Sequence, residues 1–202
     1  MTSAHQSIPK NRIEAFTDGV LAIVITIMLL EIKVPHGESW AVLQPLAGKV
    51  ISYVLSFLYV AIYWNNHHHM MHAARSVDEK SMWANMHLLF WLSMLPFTTG
   101  WMGENHFARN PMLLYGANLM MSALAYYWLA RTLAAHEGAE SALARALGAD
   151  WKGKTSLVLY AIGCALAFFA PWAGFLVFTV VALMWLVPDR RMRRAVATSA
   201  SR

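Results

Sequence analysis

The stretch that decides the fold is residues 12–30, RIEAFTDGVLAIVITIMLL. From Val20 onward every side chain in it is apolar except Thr26. As a helix, this stretch would be about 28 Å long, close to the thickness of a ~30 Å hydrocarbon core. It contains Asp18 and continues into Glu31 rather than into a small-residue cleavage site, which argues against a signal peptide. We therefore predict a retained transmembrane helix.

The composition of the whole chain agrees with this prediction. Of the 202 residues, 58% are hydrophobic and 13% are charged, whereas soluble domains have roughly 45–50% apolar and about 25% charged residues. This balance argues against a soluble enzyme, a disordered protein and a nucleic-acid binder. The chain has no nucleophile–base pair or phosphate loop, and its lone Cys164 excludes an internal disulfide framework. We predict a single all-α domain over residues 1–202, a polytopic membrane protein that is not an enzyme.

Six apolar segments predict six transmembrane helices within a membrane core at 12–187. They are residues 13–30, 46–64, 83–102, 112–130, 156–170 and 172–187. The last two are short, but one helix over 156–187 would be about 48 Å long and would contain Pro171, so two spans are the better interpretation. The charged, Ala-rich stretch 132–154 predicts a cytoplasmic helical loop, and 188–202 is a basic tail.

The positions of Lys and Arg predict the orientation. With six spans, thirteen of the 16 basic residues fall on one side, and only Lys33, Lys49 and Arg109 fall on the other. The positive-inside rule places the thirteen, and both termini, in the cytoplasm. The basic net charge therefore reflects topology in a multi-pass protein of the inner (plasma) membrane, and nucleic acid is not an expected partner. The arginine cluster at 190–194 is also suited to contact anionic lipid.

Polar side chains occur at the cytoplasmic ends of three predicted spans. Since all of them share one depth, they are able to satisfy one another's hydrogen bonds. We favour a polar clamp that holds the helices together, and a proton relay through Asp18 and the histidines stays open as the alternative. The residues concerned are Arg12, Thr17 and Asp18 in the first span, Trp64, Asn65, Asn66, His67, His68 and His69 in the second, and Asn85 and His87 in the third.

Histidines at 67, 68, 69 and 72 also raise the question of a metal site. His68 and His72 are four residues apart and share a helical face. No nearby cysteine completes a ligand set, so we expect no metal site.

The apolar half of the first span has a distinct face. Ile23, Ile27 and Leu30 form a stripe at helical spacing, with Thr26 beside them, and Asp18 points away from it. Spacing alone favours ordinary core packing or contact with lipid.

Three motifs resemble those of the transmembrane protein 175 family. The start Arg12-x-x-x-Phe16-Thr17-Asp18 is similar to its Arg-x-x-x-Phe-Ser-Asp signature, with Thr17 in place of serine. Two further matches are Tyr63-Trp64-x-x-His67-His68 and Leu95-Pro96-Phe97-x-Thr99 with Gly103-Glu104. The resemblance extends over residues 12–187.

The resemblance implies a single-repeat, potassium-permeable channel that assembles as a homotetramer. Four copies of the first helix would line the pore, without a Thr-Val-Gly-Tyr-Gly filter loop. Ile23, Ile27 and Leu30 would form the constriction, with Thr26 as the polar lining residue. No cofactor is implied apart from the permeant K⁺ ions.

The resemblance also implies a role for the polar residues at the inner end. The motif residues Arg12, Phe16, Thr17 and Asp18 would form a structural network, in which Arg12, Thr17 and Asp18 bond to residues of neighbouring helices. Those residues are Trp64, His67, His68 and Asn85.

A ring of Ile23 side chains would then act as a hydrophobic gate that dewets a narrow pore. Glu31, just beyond the stripe, either concentrates cations at the outer mouth or is simply a solvated helix end. Two other functions stay open: a proton-coupled transporter or proton leak that uses Asp18 and the histidines, and, last in rank, a membrane enzyme or metal protein built on His67–His72.

Overall fold

The computed structural model describes residues 9–147 and 151–186, and the secondary-structure elements of these residues are helices. The predicted tail at 188–202, the arginine cluster at 190–194 and the end of the predicted span at 187 lie outside the described residues. The helices are α1 (Lys10–Leu30), a 3₁₀ helix (Trp40–Leu46), α2 (Ala47–Ala73), α3 (Glu79–Ser93), α4 (Leu95–Glu104), α5 (Arg109–Glu137), α6 (Ala142–Leu147), α7 (Trp151–Phe169) and α8 (Pro171–Leu186).

Three helical stretches in the described residues are long and apolar enough to cross a membrane. They are Lys10–Leu30, Trp40–Ala73 and Trp151–Phe169, while Pro171–Leu186 is a shorter apolar helix. These stretches contain the first and second predicted spans and the fifth as far as Phe169, and the shorter helix contains the sixth as far as Leu186. The break between α7 and α8 falls at Ala170, directly before Pro171, as the sequence predicted. Six spans in all, and cytoplasmic termini, stay predictions.

The third predicted span is divided between two helices, so the prediction of one continuous helix over 83–102 was wrong. Residues 83–102 are divided between α3, which ends at Ser93, and α4, which begins at Leu95. Pro96 lies in the first turn of α4, where its missing N–H costs no helical hydrogen bond. The same proline inside a continuous helix would collide with the carbonyl group four residues earlier, so α3 ends at Ser93, with Met94 as its C-cap.

The stretch 132–154, predicted as a helical loop, includes parts of three helices and a turn at 138–141, while 148–150 lie outside the described residues. α5 continues through it to Glu137 and ends at Gly138, whose φ of 93° is readily adopted only by glycine. The short α6 follows, and α7 begins at Trp151.

α1 packs against α2, α3 and α4 through one face only. The buried side chains on that face are Ile13, Thr17, Leu21, Val24 and Met28, which are three or four residues apart. The opposite face of α1 is exposed in the single chain. The rest of the bundle is built by α5, α7 and α8, which approach one another closely around the buried Phe178.

Candidate functional site

A buried hydrogen-bonded chain joins the first three helices near the start of α1. The Asn85 Nδ2 amide of α3 donates to the Thr17 Oγ1 hydroxyl of α1 at 3.0 Å. The Asn85 Oδ1 atom lies 2.9 Å from His67 Nε2 of α2. With this amide orientation Nε2 carries the proton and donates it, which sets the tautomer of a neutral His67. All three side chains are buried, so the chain satisfies polar groups that would otherwise destabilise the helix packing.

A second contact lies beside this chain at the surface of the bundle. Trp64 Nε1 donates to Asp18 Oδ1 at 2.9 Å. The Trp64 ring in turn stacks on the His68 imidazole, with ring centroids 5.8 Å apart and planes 18° apart. Asp18 and Trp64 are both exposed in the single chain. This arrangement connects α1 to α2 through a charge-assisted hydrogen bond.

The structure brings most of the predicted inner-end residues together, but not all of them. Arg12 is exposed, and its guanidinium makes no hydrogen bond or ion pair with the described residues. The expected bonds from Arg12 to the neighbouring helices are therefore absent from the described part of the chain. Phe16 is exposed as well, and His68 joins the group by ring stacking rather than by a hydrogen bond.

Farther along α1 toward its C-terminal end, the apolar stripe faces away from the bundle. Ile23 is 58% exposed, Ile27 42% and Leu30 78%, although all three are large and apolar. Thr26 is exposed on the same side, and its hydroxyl donates to the Ile23 carbonyl at 2.9 Å. Its proton is therefore occupied by its own helix, while lone pairs of the oxygen remain available to an outside group.

At the far end of α1, Glu31 borders a small pocket between α1, α2 and α4. Lys49 and Glu104 line the same pocket and form an ion pair at 3.1 Å. Glu31 is exposed, and its carboxylate makes no hydrogen bond or ion pair with the described residues. The carboxylate is thus available at the surface, which is required whether Glu31 concentrates cations at the outer mouth or is a solvated helix end.

Sequence reasoning missed a second buried polar group, at the level of Met28. The Ser56 hydroxyl lies 2.7 Å from Thr99 Oγ1 and 3.0 Å from the Tyr115 hydroxyl, so it links α2, α4 and α5. Thr99 also approaches Met28 Sδ of α1 at 3.9 Å. In the sequence Thr99 belongs only to the Leu95-Pro96-Phe97-x-Thr99 motif, and the polar pair Thr98-Thr99 within an apolar run was the available signal.

Comparison with known proteins supplies the family. The family profile described as endosomal/lysosomal potassium channel TMEM175 matches residues 12–96. A protein named as a potassium channel from Chryseobacterium is 48% identical over 187 residues, which cover 93% of this chain and 97% of that protein. The chain belongs to the TMEM175 family. This is a family of membrane channels rather than a class of enzymes.

The fold agrees with a solved TMEM175 structure. The crystal structure of a lysosomal potassium-selective TMEM175 homologue from Chamaesiphon minutus superimposes with a TM-score of 0.77 at 27% identity, over 88% of this chain and 96% of that one. The human relative is named an endosomal/lysosomal proton channel TMEM175. It is 30% identical over 119 residues, 53% of this chain but 23% of the human protein. The relatives thus include proteins named for potassium and for protons.

Proposed function

We propose that this chain is a potassium-permeable channel of the inner (plasma) membrane, with six spans, cytoplasmic termini and four identical subunits around a central pore. α1 lines the pore and carries the constriction at Ile23, Ile27 and Leu30. K⁺ is the permeant ion. Conduction requires neither a cofactor nor a filter loop of the Thr-Val-Gly-Tyr-Gly type.

The observation that carries this proposal is the exposed apolar stripe on α1. The opposite face of the same helix packs on α2, α3 and α4 and is held there through Thr17 and Asp18. The stripe therefore has to be covered by lipid or by other copies of the chain. Family membership and the resemblance to single-repeat channels favour other copies arranged around an axis.

The physical behaviour of such a pore follows from its lining. A narrow ring of four isoleucine side chains dewets, because water inside it loses hydrogen bonds that no apolar group replaces. A small tilt or rotation of α1 widens the ring and admits ions. An apolar ring does not replace the hydration shell of K⁺, so the Thr26 oxygens or the field of the pore have to supply any selectivity. Glu31 at the outer end raises the local cation concentration.

The test is ion flux in liposomes under bi-ionic K⁺/Na⁺ conditions. Ile23→Asn should change conductance or selectivity, because it replaces the dewetting ring with one that binds water. Val180→Asn is the matched control, since Val180 is also exposed and apolar but belongs to α8 on another side of the bundle. Both variants should keep the oligomer of the wild type on size-exclusion chromatography. If wild-type protein and Ile23→Asn both give the flux of empty liposomes, the channel proposal is refuted.

A proton-coupled transporter or proton leak is the second candidate. The Thr17–Asn85–His67 chain and the neighbouring Asp18 favour it, as does the name of the human relative. Asp18→Asn keeps an oxygen that accepts from Trp64 but removes the titratable group. Loss of proton flux with an intact oligomer would support the proton candidate, whereas unchanged flux of K⁺ and H⁺ would assign Asp18 a structural role.

A further inference from the structure

A carboxylate and two imidazoles meet where the first turns of α1 lie against the end of α2. His68 and His72 lie on successive turns of α2, and their ring centroids are 4.8 Å apart. Glu14 of α1 reaches toward both of them. One ligating atom from each of the three side chains lies within 4.8 Å of the other two.

The donor atoms of this triad are free to bind a ligand. Among residues 9–147 and 151–186, none makes a hydrogen bond or ion pair with the Glu14 carboxylate or with the ring nitrogens of His68 and His72. The His68 ring is nevertheless held in position by stacking on Trp64, which is itself fixed by its hydrogen bond to Asp18. This support orients one ligand before any ion arrives, as outer-shell contacts do in metal sites.

The chemistry of the triad suits a divalent transition metal. Two imidazoles and one carboxylate form a common ligand set for Zn²⁺, with water in the fourth position. Bonds of about 2.0–2.2 Å in a tetrahedral site place ligating atoms roughly 3.3–3.6 Å apart. The three donors therefore have to approach one another by at most about 1.5 Å. Side-chain rotation achieves this, because both histidines are exposed and Glu14 is only half-buried. The carboxylate also compensates part of the charge of the ion.

We propose that Glu14, His68 and His72 bind one divalent transition-metal ion per chain, which fastens the start of α1 to the end of α2. The sequence predicted no metal site, because no cysteine near the histidines completes a ligand set; in the structure the third ligand comes from α1. Glu14 lies about 180° around the helix from Ile23, so the ion would sit on the back of the proposed pore face. A bound ion would restrain movement of α1; that consequence rests on the proposed function, whereas the binding site does not.

The experiment measures Zn²⁺ binding to the full-length chain without a polyhistidine tag, by equilibrium dialysis and elemental analysis of the purified protein in detergent. Wild-type protein should bind one zinc ion per chain at this site. His72→Ala and Glu14→Gln should each weaken that binding by about tenfold or more, since even outer-shell changes cost about 10–100-fold in affinity. His69→Ala is the matched control, because it removes the adjacent imidazole outside the triad and should leave the affinity unchanged.

A second measurement uses only wild-type protein and so does not depend on how the variants fold. Zn²⁺ should slow the modification of His68 and His72 by diethyl pyrocarbonate, read by mass spectrometry, and should leave His36 unaffected. Absence of zinc binding, equal weakening by His69→Ala, or equal protection of His36 would each overturn the assignment. Ion flux is not part of either readout, so failure of the channel proposal and failure of the metal site are distinguishable.

Discussion

Replacing Asn85 should reveal how much the buried hydrogen bonds among Thr17, Asn85 and His67 stabilise the fold. Asn85→Leu removes a hydrogen bond to Thr17 and one from His67 while leaving a side chain of similar size. Hydrogen bonds between membrane helices contribute about 0.6 kcal/mol each on average and at most about 1.7 kcal/mol. Losing both should therefore lower the free energy of unfolding by about 1–3 kcal/mol.

The link between Thr17 and Asn85 is isolated by a double-mutant cycle. Thr17→Val, Asn85→Leu and the double variant are compared with wild type by equilibrium unfolding in mixed SDS micelles, followed by helical circular dichroism. We expect a coupling free energy of about 0.6–1.7 kcal/mol. The Thr179→Val variant is the control, because within the described part of the chain the Thr179 hydroxyl bonds only to the Phe175 carbonyl of its own helix. A coupling energy of zero, or an equal loss in Thr179→Val and Thr17→Val, would refute the clamp.

Two further predictions concern helix packing and a helix cap. Gly163→Val should destabilise the bundle by about 1–3 kcal/mol, because a β-carbon there collides with the Phe178 ring. Gly19→Ala, whose β-carbon would meet no atom within 4 Å, should be neutral or stabilise α1 by up to about 1 kcal/mol, and thermal unfolding in detergent checks both. Asp78 caps the start of α3. Burial raises the pKa of its carboxyl group, but hydrogen bonds from the start of α3 and the nearby His136 lower it by more. The net pKa therefore lies below 3.8. Its stabilising contribution is thus complete at neutral pH and is lost as pH falls below 3.8 through the folded pKa. Asp78→Asn keeps a capping oxygen and should remove this part of the acid dependence in unfolding midpoints measured between about pH 2.5 and 7.

Much of the fold could be predicted from local sequence. The apolar segments, the break at Pro171 and the grouping of Ile23, Ile27 and Leu30 on one face of α1 follow from hydropathy and from the 3.6-residue period. The third span was the exception: Leu95-Pro96 lies within an apolar run, and hydropathy does not register a missing backbone N–H.

The inner polar residues were predicted as a group, but their pairing was not. Thr17 bonds to Asn85 and Asp18 to Trp64, while Arg12 makes no bond to the described residues. A shared depth indicates which side chains are able to meet. It does not determine which of them meet, because that depends on how each helix is rotated about its axis.

The sequence by itself therefore determined which segments are apolar helices, which face of α1 carries the apolar stripe and which family the motifs resemble. Only the tertiary structure decided that Glu14 approaches His68 and His72, that Asn85 bridges Thr17 and His67, and that the apolar stripe is left uncovered. The physical reason is that spacing within one helix follows from a fixed backbone geometry, whereas contacts between helices depend on packing at many positions at once.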